Sequence, residues 1–294
     1  MTTETLQRSV AARRTAPVAW SRIRPLVIHV LLAGSALVML YPVIWMVVSS
    51  LRPGNEIFRD PGILIKDLRI ENYRVGWHAL TEPFTRYLLN SAVVVLGSIL
   101  GNLVSCSMAA YAFARLEFAG KKFWFAIMLL SIMLPIHVVI VPQYILFSNL
   151  GWINTVLPLI VPKLLATDAF FVFLMVQFIR GIPRELDEAA RIDGCGKASI
   201  FLRIILPLMV PALATTTIFT FIWTWNDFFS QLIYLTDPHM YTVPVALRSF
   251  VDSTSSSSWG SMFAMSVVSL VPVFLAFLLG QRFLIKGIAT TGIK

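Results

Sequence analysis

Charge is what this sequence has least of. Only 13% of its 294 residues are Asp, Glu, Lys or Arg, against about 25% in an ordinary soluble domain, while 57% are hydrophobic. A water-soluble fold cannot hide that much apolar surface, so the class is integral membrane. Cysteine is nearly absent too: Cys106 lies in an apolar run and Cys195 in a charged one, which excludes a disulfide or metal framework. No internal repeat stands out, which counts against a secondary transporter built from inverted repeats. No Gly-x-Ser-x-Gly or His-Glu-x-x-His pattern occurs, and no polar reactive cluster falls at one depth, which counts against a membrane enzyme. The formal charge of +9 is not arranged as a basic stripe interleaved with aromatics, so nucleic acid is excluded as a partner.

The gaps between charges mark the membrane spans. Long uncharged stretches follow Arg24, Arg86, Arg203 and Asp252, each long enough for a helix of roughly 20 residues. The stretch 123–179 holds two more, divided by the polar turn SNLGWINT at 148–155. The expected spans are 26–50, 88–113, 123–146, 156–179, 204–228 and 260–284, all helical because backbone groups in lipid must be satisfied within their own segment. Residues 1–25 read as a cytoplasmic tail ahead of a signal anchor, and 26–294 as a single six-helix membrane domain. With the N-terminus inside, sixteen of the 24 lysines and arginines fall on the inner side, which places both chain ends in the cytoplasm.

One charged stretch interrupts the apolar pattern: ELDEAARIDGCGKASIFLRIILPLMVPAL, from Glu185 to Leu213. Pro183 suits a helix start. Glu185, Asp187 and Glu188 match the positive end of that helix, and Gly194 provides a stop. Lys197 then opens a second helix whose Ile200, Phe201, Ile204 and Ile205 lead into span five. This cytoplasmic hairpin, about 183–203, is either a plain interfacial connector or a docking peg. Its Gly196-Lys197 imitates a phosphate-binding loop, but Ala198 stands where Ser or Thr must bind magnesium and Arg191 where the first glycine belongs. The chain is therefore expected to bind no nucleotide itself.

The segment EAARIDGCGKASIFLRIILPLMVP resembles the EAA signature of permeases of ATP-binding-cassette importers, through Glu188, Ala189, Ala190, Asp193, Gly194, Ile204, Leu206 and Pro207. Cys195 replaces the alanine common after the glycine. NSAVVVLGSILGNLVSCSMAAYAFARLEFAGKKF at 90–123, WTWNDFFSQLIYLTDPHMYTVPVAL at 223–247, WGSMFAMSVVSLVPV at 259–273 and the closing KGIATTGIK resemble blocks of the carbohydrate-importer permeases, in particular the maltose-type second subunit. That resemblance implies an all-α polytopic type I permease with six transmembrane helices in a bacterial cytoplasmic membrane. It also implies as partners a second permease subunit, two ATPase subunits that hold ATP and magnesium, and an external solute-binding protein. The expected solute is a sugar, oligosaccharide or glycerol-phosphate-like molecule. The alternatives are a polyamine, amino acid or phosphonate importer, and an ion-driven transporter. Glu188, Ala189, Ala190, Asp193 and Gly194 would dock the ATPase. Ser255, Ser256, Ser257 and Trp259 would meet the binding protein, although DSTSSSSWG reads first as a linker.

Polar residues within the spans supply the candidate solute path. Asp168, expected midway along span four, costs about 2.5–3.5 kcal/mol in lipid and must face protein or water. A hydrogen bond to a neighbouring helix and a place on the path are equally open. Lys163 is expected to snorkel outward. Thr216, Thr220, Trp223, Trp225, Asn226 and Asp227 form a lining suited to sugars, with helix-internal threonine bonds and an aromatic belt as the competing reading. His137 beside Pro135 reads as the companion of a helix kink.

Overall fold

A computed structural model describes residues 18–252 and 258–291, all of whose regular elements are helical. The chain divides between Val48 and Ser49 into two units. The first contains α1 (Val18–Ser50) as far as Val48; the helix is predominantly apolar and exposed from Pro25 to Ile44, and its last two residues, Ser49 and Ser50, are buried and belong to the second unit. It starts at Val18, inside the stretch read as a tail.

The second unit is built on α3 (Phe84–Arg115), preceded by a loop and the short helix α2 (Glu71–Trp77). Helix α3 runs 32 residues with no internal proline, so its hydrogen-bond ladder is unbroken from end to end. Around it pack α6 (Leu157–Leu164), α7 (Ala169–Arg180) and α11 (Val210–Asn226). Close approach to α6 requires small residues on α3. A Cβ on Gly101 would sit 3.0 Å from the backbone carbonyl carbon of Lys163. The final long helix, α14 (Ser258–Thr291), packs on α2, on α11 and on α13 (Val243–Asp252).

Among the described residues, four segments are long and apolar enough to cross a membrane: Pro25–Ser50, Phe84–Arg115, Leu157–Arg180 and Trp259–Gln281. The remaining two of six are bent pairs, which corrects the continuous helices expected at 123–146 and 204–228. Helix α4 (Lys121–Ser131) meets α5 (Ile136–Asn149) at 103°. Pro135 holds an extended backbone there (ψ 135°), as a proline after a helix end does, and His137 packs its ring 4.9 Å from that of Phe229. In the other pair, the helical stretch Lys197–Leu208 turns by 74° at Met209 before α11. Even span four is interrupted: residues 165–168 leave the helix, with Ala166 at φ 55°.

Candidate functional site

The charged stretch folds as the expected hairpin. Helix α8 (Glu185–Ile192) carries Glu185, Asp187 and Glu188 in its first turn, and Pro183 stands one residue before its cap, Arg184. Its end is a Schellman turn. Cys195 N–H donates to the Ala190 carbonyl (2.9 Å) and Gly194 N–H to that of Arg191 (3.0 Å), with Gly194 at φ +82°. Nothing lies within 4 Å of a Cβ built on Gly194, so its backbone conformation alone demands glycine. Gly196 then caps α9 (Lys197–Ile200), which continues as a π-helical segment (Phe201–Ile205) and α10 (Leu206–Leu208).

The hairpin has two faces. Ala190 is buried with Ile200, Ile205 and Met209 in a core shared with Cys106, Ala110 and Ala114 of α3 and Met175 and Ile179 of α7. On the other side Leu186, Glu188, Ala189, Ile192 (87% accessible), Asp193 and Gly194 are exposed. Leu186, Ala189 and Ile192, three residues apart in turn, put an apolar strip on this exposed face.

The hairpin is also clamped, and this the sequence did not reveal. Arg115, the last residue of α3, sets Nε 2.9 Å from Asp187 Oδ2, both side chains almost fully buried. Its Nη2 donates to the Ile182 carbonyl (2.6 Å), and Tyr111, one turn earlier, donates from its hydroxyl to the Lys197 carbonyl (3.1 Å). Tyr111 and Arg115 belong to AAYAFAR, and their i, i+4 spacing was the available signal. A cavity of about 510 Å³ opens beside the clamp, lined by charged side chains including Arg184, Glu188, Arg191 and Lys197.

A second polar group lies within the spans. Asp168 is the N-cap of α7, at the break of span four rather than within a continuous helix. Both its carboxylate oxygens accept from Lys163 Nζ (2.8 and 2.9 Å), so Lys163 turns to Asp168 instead of snorkelling. Asn102 of α3 donates to Asp168 (2.7 Å) and to Thr220 of α11 (3.1 Å), and Ser105 donates to the Lys163 carbonyl (2.6 Å). Helices α3, α6, α7 and α11 thus meet at one half-buried knot.

Two adjoining cavities, of about 420 and 370 Å³, share Ile136, Leu159, Lys163, Asp227 and Ser230 in their walls. Asp168 faces the first; Trp223 and Asn226 face the second. Asp227, one residue before the N-cap Phe228 of the short helix α12 (Phe229–Tyr234), accepts from Ser230 N–H in its first turn (3.1 Å). Trp225 and Thr216 do not line either cavity. Trp225 is buried against α13 and α14, donating to the Ser269 carbonyl (3.2 Å), because the helical turn points it opposite Trp223. Thr216 is fully buried, and Thr220 serves the knot. Trp259 stacks edge-on with Phe58 at 5.0 Å. Ser255, Ser256 and Ser257 lie outside the described residues. Among the described residues no group of three or more His, Cys, Asp or Glu side chains is placed to hold a metal.

An all-α bundle with interrupted spans, an intramembrane ion pair and a projecting two-helix elbow defines a polytopic transport subunit. Residues 83–288 match the family described as "Binding-protein-dependent transport system inner membrane component", and the chain belongs to that family. It is 34% identical to the probable ABC transporter permease YurM of Bacillus subtilis over 254 residues, covering 86% of this chain and 83% of YurM. It is 32% identical to the arabinooligosaccharide transport permease AraQ of Halalkalibacterium halodurans, over 88% of this chain and 92% of AraQ. With the sn-glycerol-3-phosphate transport permease UgpE of Brucella abortus it shares 31% identity, over 90% of this chain and 95% of UgpE. A chain from the crystal structure of a bacterial ABC transporter that imports the acidic polysaccharide alginate superposes with a TM-score of 0.77 at 25% identity, covering 89% of this chain and 96% of that one. The chain is thus an ABC importer permease of the inner membrane.

Proposed function

We propose that this permease carries a sugar, oligosaccharide or glycerol-phosphate-like solute by alternating access, paired with a second permease subunit and served by two ATPase subunits and an external binding protein. The solute class follows the transport systems in which its relatives AraQ and UgpE are named. The observation that carries the reading is the hairpin: a glycine-aimed elbow, locked to the bundle on one face and bare at Leu186, Ala189 and Ile192 on the other. Docked in a groove on the ATPase through the exposed Glu188, Ala189, Asp193 and Gly194, it passes the ATPase movement inward; Ala190, expected to share that docking, instead packs inward against α3 and α7. ATP and magnesium sit on those partner subunits, where the bond-breaking chemistry belongs. In this arrangement the hairpin and both chain ends face the cytoplasm. Lys163, Asp168, Trp223, Asn226 and Asp227 border the solute's route from this side, and Trp259 with the serine run meets the binding protein.

The test is reconstitution of the two permeases and two ATPase subunits in liposomes, together with the binding protein. Uptake of an arabinooligosaccharide or sn-glycerol-3-phosphate that needs ATP and the binding protein is the expected result. Uptake driven by an ion gradient without ATP overturns the proposal.

A further inference from the structure

We propose that α3 is the rod through which the hairpin's movement reaches the solute cavities, with Arg115 and Asn102 as its two positioning residues. The inference rests on the importer reading above and deepens it.

Three routes lead from the hairpin into the bundle, and two are soft. The covalent route into α11 passes through a π-helical segment, Pro207, a 74° turn at Met209 and Pro211. Each interrupts the regular hydrogen-bond ladder that makes a helix stiff. The route into α7 passes through the non-helical residues 181–183 and, farther on, ends at the break 165–168. A push along either is dissipated in bending.

The third route is made of side chains and is continuous. Arg115 grips the first arm of the hairpin at Asp187 and at the Ile182 carbonyl. Tyr111 grips the second arm at the Lys197 carbonyl. Both residues sit on the unbroken α3. Thirteen residues back along that helix, about 20 Å at 1.5 Å per residue, Asn102 is fully buried and holds Asp168 and Thr220. Asp168 holds Lys163, which borders both cavities. Gly101 and Ser105, on either side of Asn102, bring α3 against the Lys163 backbone, so an axial shift of α3 displaces that residue's main chain as well as its side chain. The break beside Asp168 gives the displacement somewhere to go: α6 and α7 can change their mutual angle while α3 stays straight.

A chain of contacts is a pathway only if its ends are energetically coupled. The assay is therefore a double-substitution cycle in the assembled, reconstituted complex, reading solute uptake per ATP hydrolysed. Arg115→Ala and Asn102→Ala are each expected to lower that ratio about 5-fold or more, the lower edge of ordinary coupling between sites. The double variant is expected to be no worse than the weaker single, because both cuts lie on one line. Exchanging the charges, Arg115→Asp with Asp187→Arg, is expected to recover part of the ratio lost in Arg115→Asp alone, which separates a severed linkage from a misfolded chain. Singles that assemble and keep the wild-type ratio, or losses that multiply in the double variant, overturn the rod. A wild-type complex with no ATP-dependent uptake overturns the importer reading instead.

Discussion

Consider removing the cation from the knot, Lys163→Met. Asp168 then keeps Asn102 as a donor and loses two charge-assisted bonds of 2.8 and 2.9 Å. Breaking a fully buried ion pair by deleting one partner costs about 3–5 kcal/mol, most of it from stranding the other charge. An exposed pair is worth about 0.2–1 kcal/mol. Here the two side chains are 30% and 23% exposed, so the site falls between those limits. We expect a loss of about 1–3 kcal/mol, after discounting for that exposure. Each kcal/mol moves the Tm by about 2–4 °C in a domain of 150–250 residues, which predicts a fall of about 2–12 °C. Thermal unfolding of the purified chain in detergent, at one fixed scan rate, measures it. Replacing Lys163→Met and Asp168→Asn together removes both charges, while an amide oxygen at 168 still accepts from Asn102. The double variant should recover more than half of the lost Tm. If instead it loses as much as the two singles combined, the stranded-charge argument is wrong and the knot is held by shape.

Gly194→Ala places a side chain at φ +82° with open space around it, so the cost is backbone strain alone, about 1–2 kcal/mol. Capture of the companion ATPase by the purified permease should weaken in that variant and survive in Gly194→Asn, since asparagine tolerates the left-handed region. Gly101→Ala should lower the Tm more than Gly97→Ala. The first Cβ meets main-chain atoms at 3.0 and 3.1 Å, which only a shift of α6 relieves, whereas the second meets side-chain carbons of Ile160 at 2.7 and 3.0 Å, where a side-chain adjustment suffices. Asn226→Ala should cut uptake more than it cuts expression, while Trp225→Ala should do the reverse, because only the first faces a cavity. In the loop after α1, the Lys66 ammonium bonded to Asp60 holds that carboxyl below its usual range and raises the lysine. A carboxyl lowered in the fold contributes its order above the unfolded value and loses it as pH falls through the lowered one. The protection of the Gly62 amide, its exchange relative to the intrinsic rate at each pH, should therefore fall below about pH 4; protection that is flat with pH removes Asp60 from the loop's support.

What could be read in one dimension were quantities set by solvent and by nearest neighbours. The scarcity of charge located six apolar segments, and their helical character followed from the need to satisfy backbone groups in lipid. The elbow was legible because acidic residues, a stop glycine and a second helix start are local signals, acting within a turn or two. The resemblance carried by EAARIDGCGKAS and AAYAFAR pointed to the permease family, and the match over 83–288 agrees.

Tertiary structure decided the rest. The bends at 132–135 and at Met209 depend on what packs on either side of the prolines, since a proline permits a kink without setting its angle. Trp223 and Trp225 are two residues apart and look alike in sequence, yet one borders a cavity and the other is buried against α14, according to which neighbour occupies each side of α11. Lys163 and Asp168 carry no sign of each other in the sequence; only the break at 165–168 brings them face to face, and only α3 supplies Asn102 beneath them. Arg115 carried no role until folding set it beside Asp187, 72 positions later in the chain. Burial and long-range pairing belong to the packed assembly, because the free energy of a charge depends on the dielectric and the partner it meets, and neither is written at its own position.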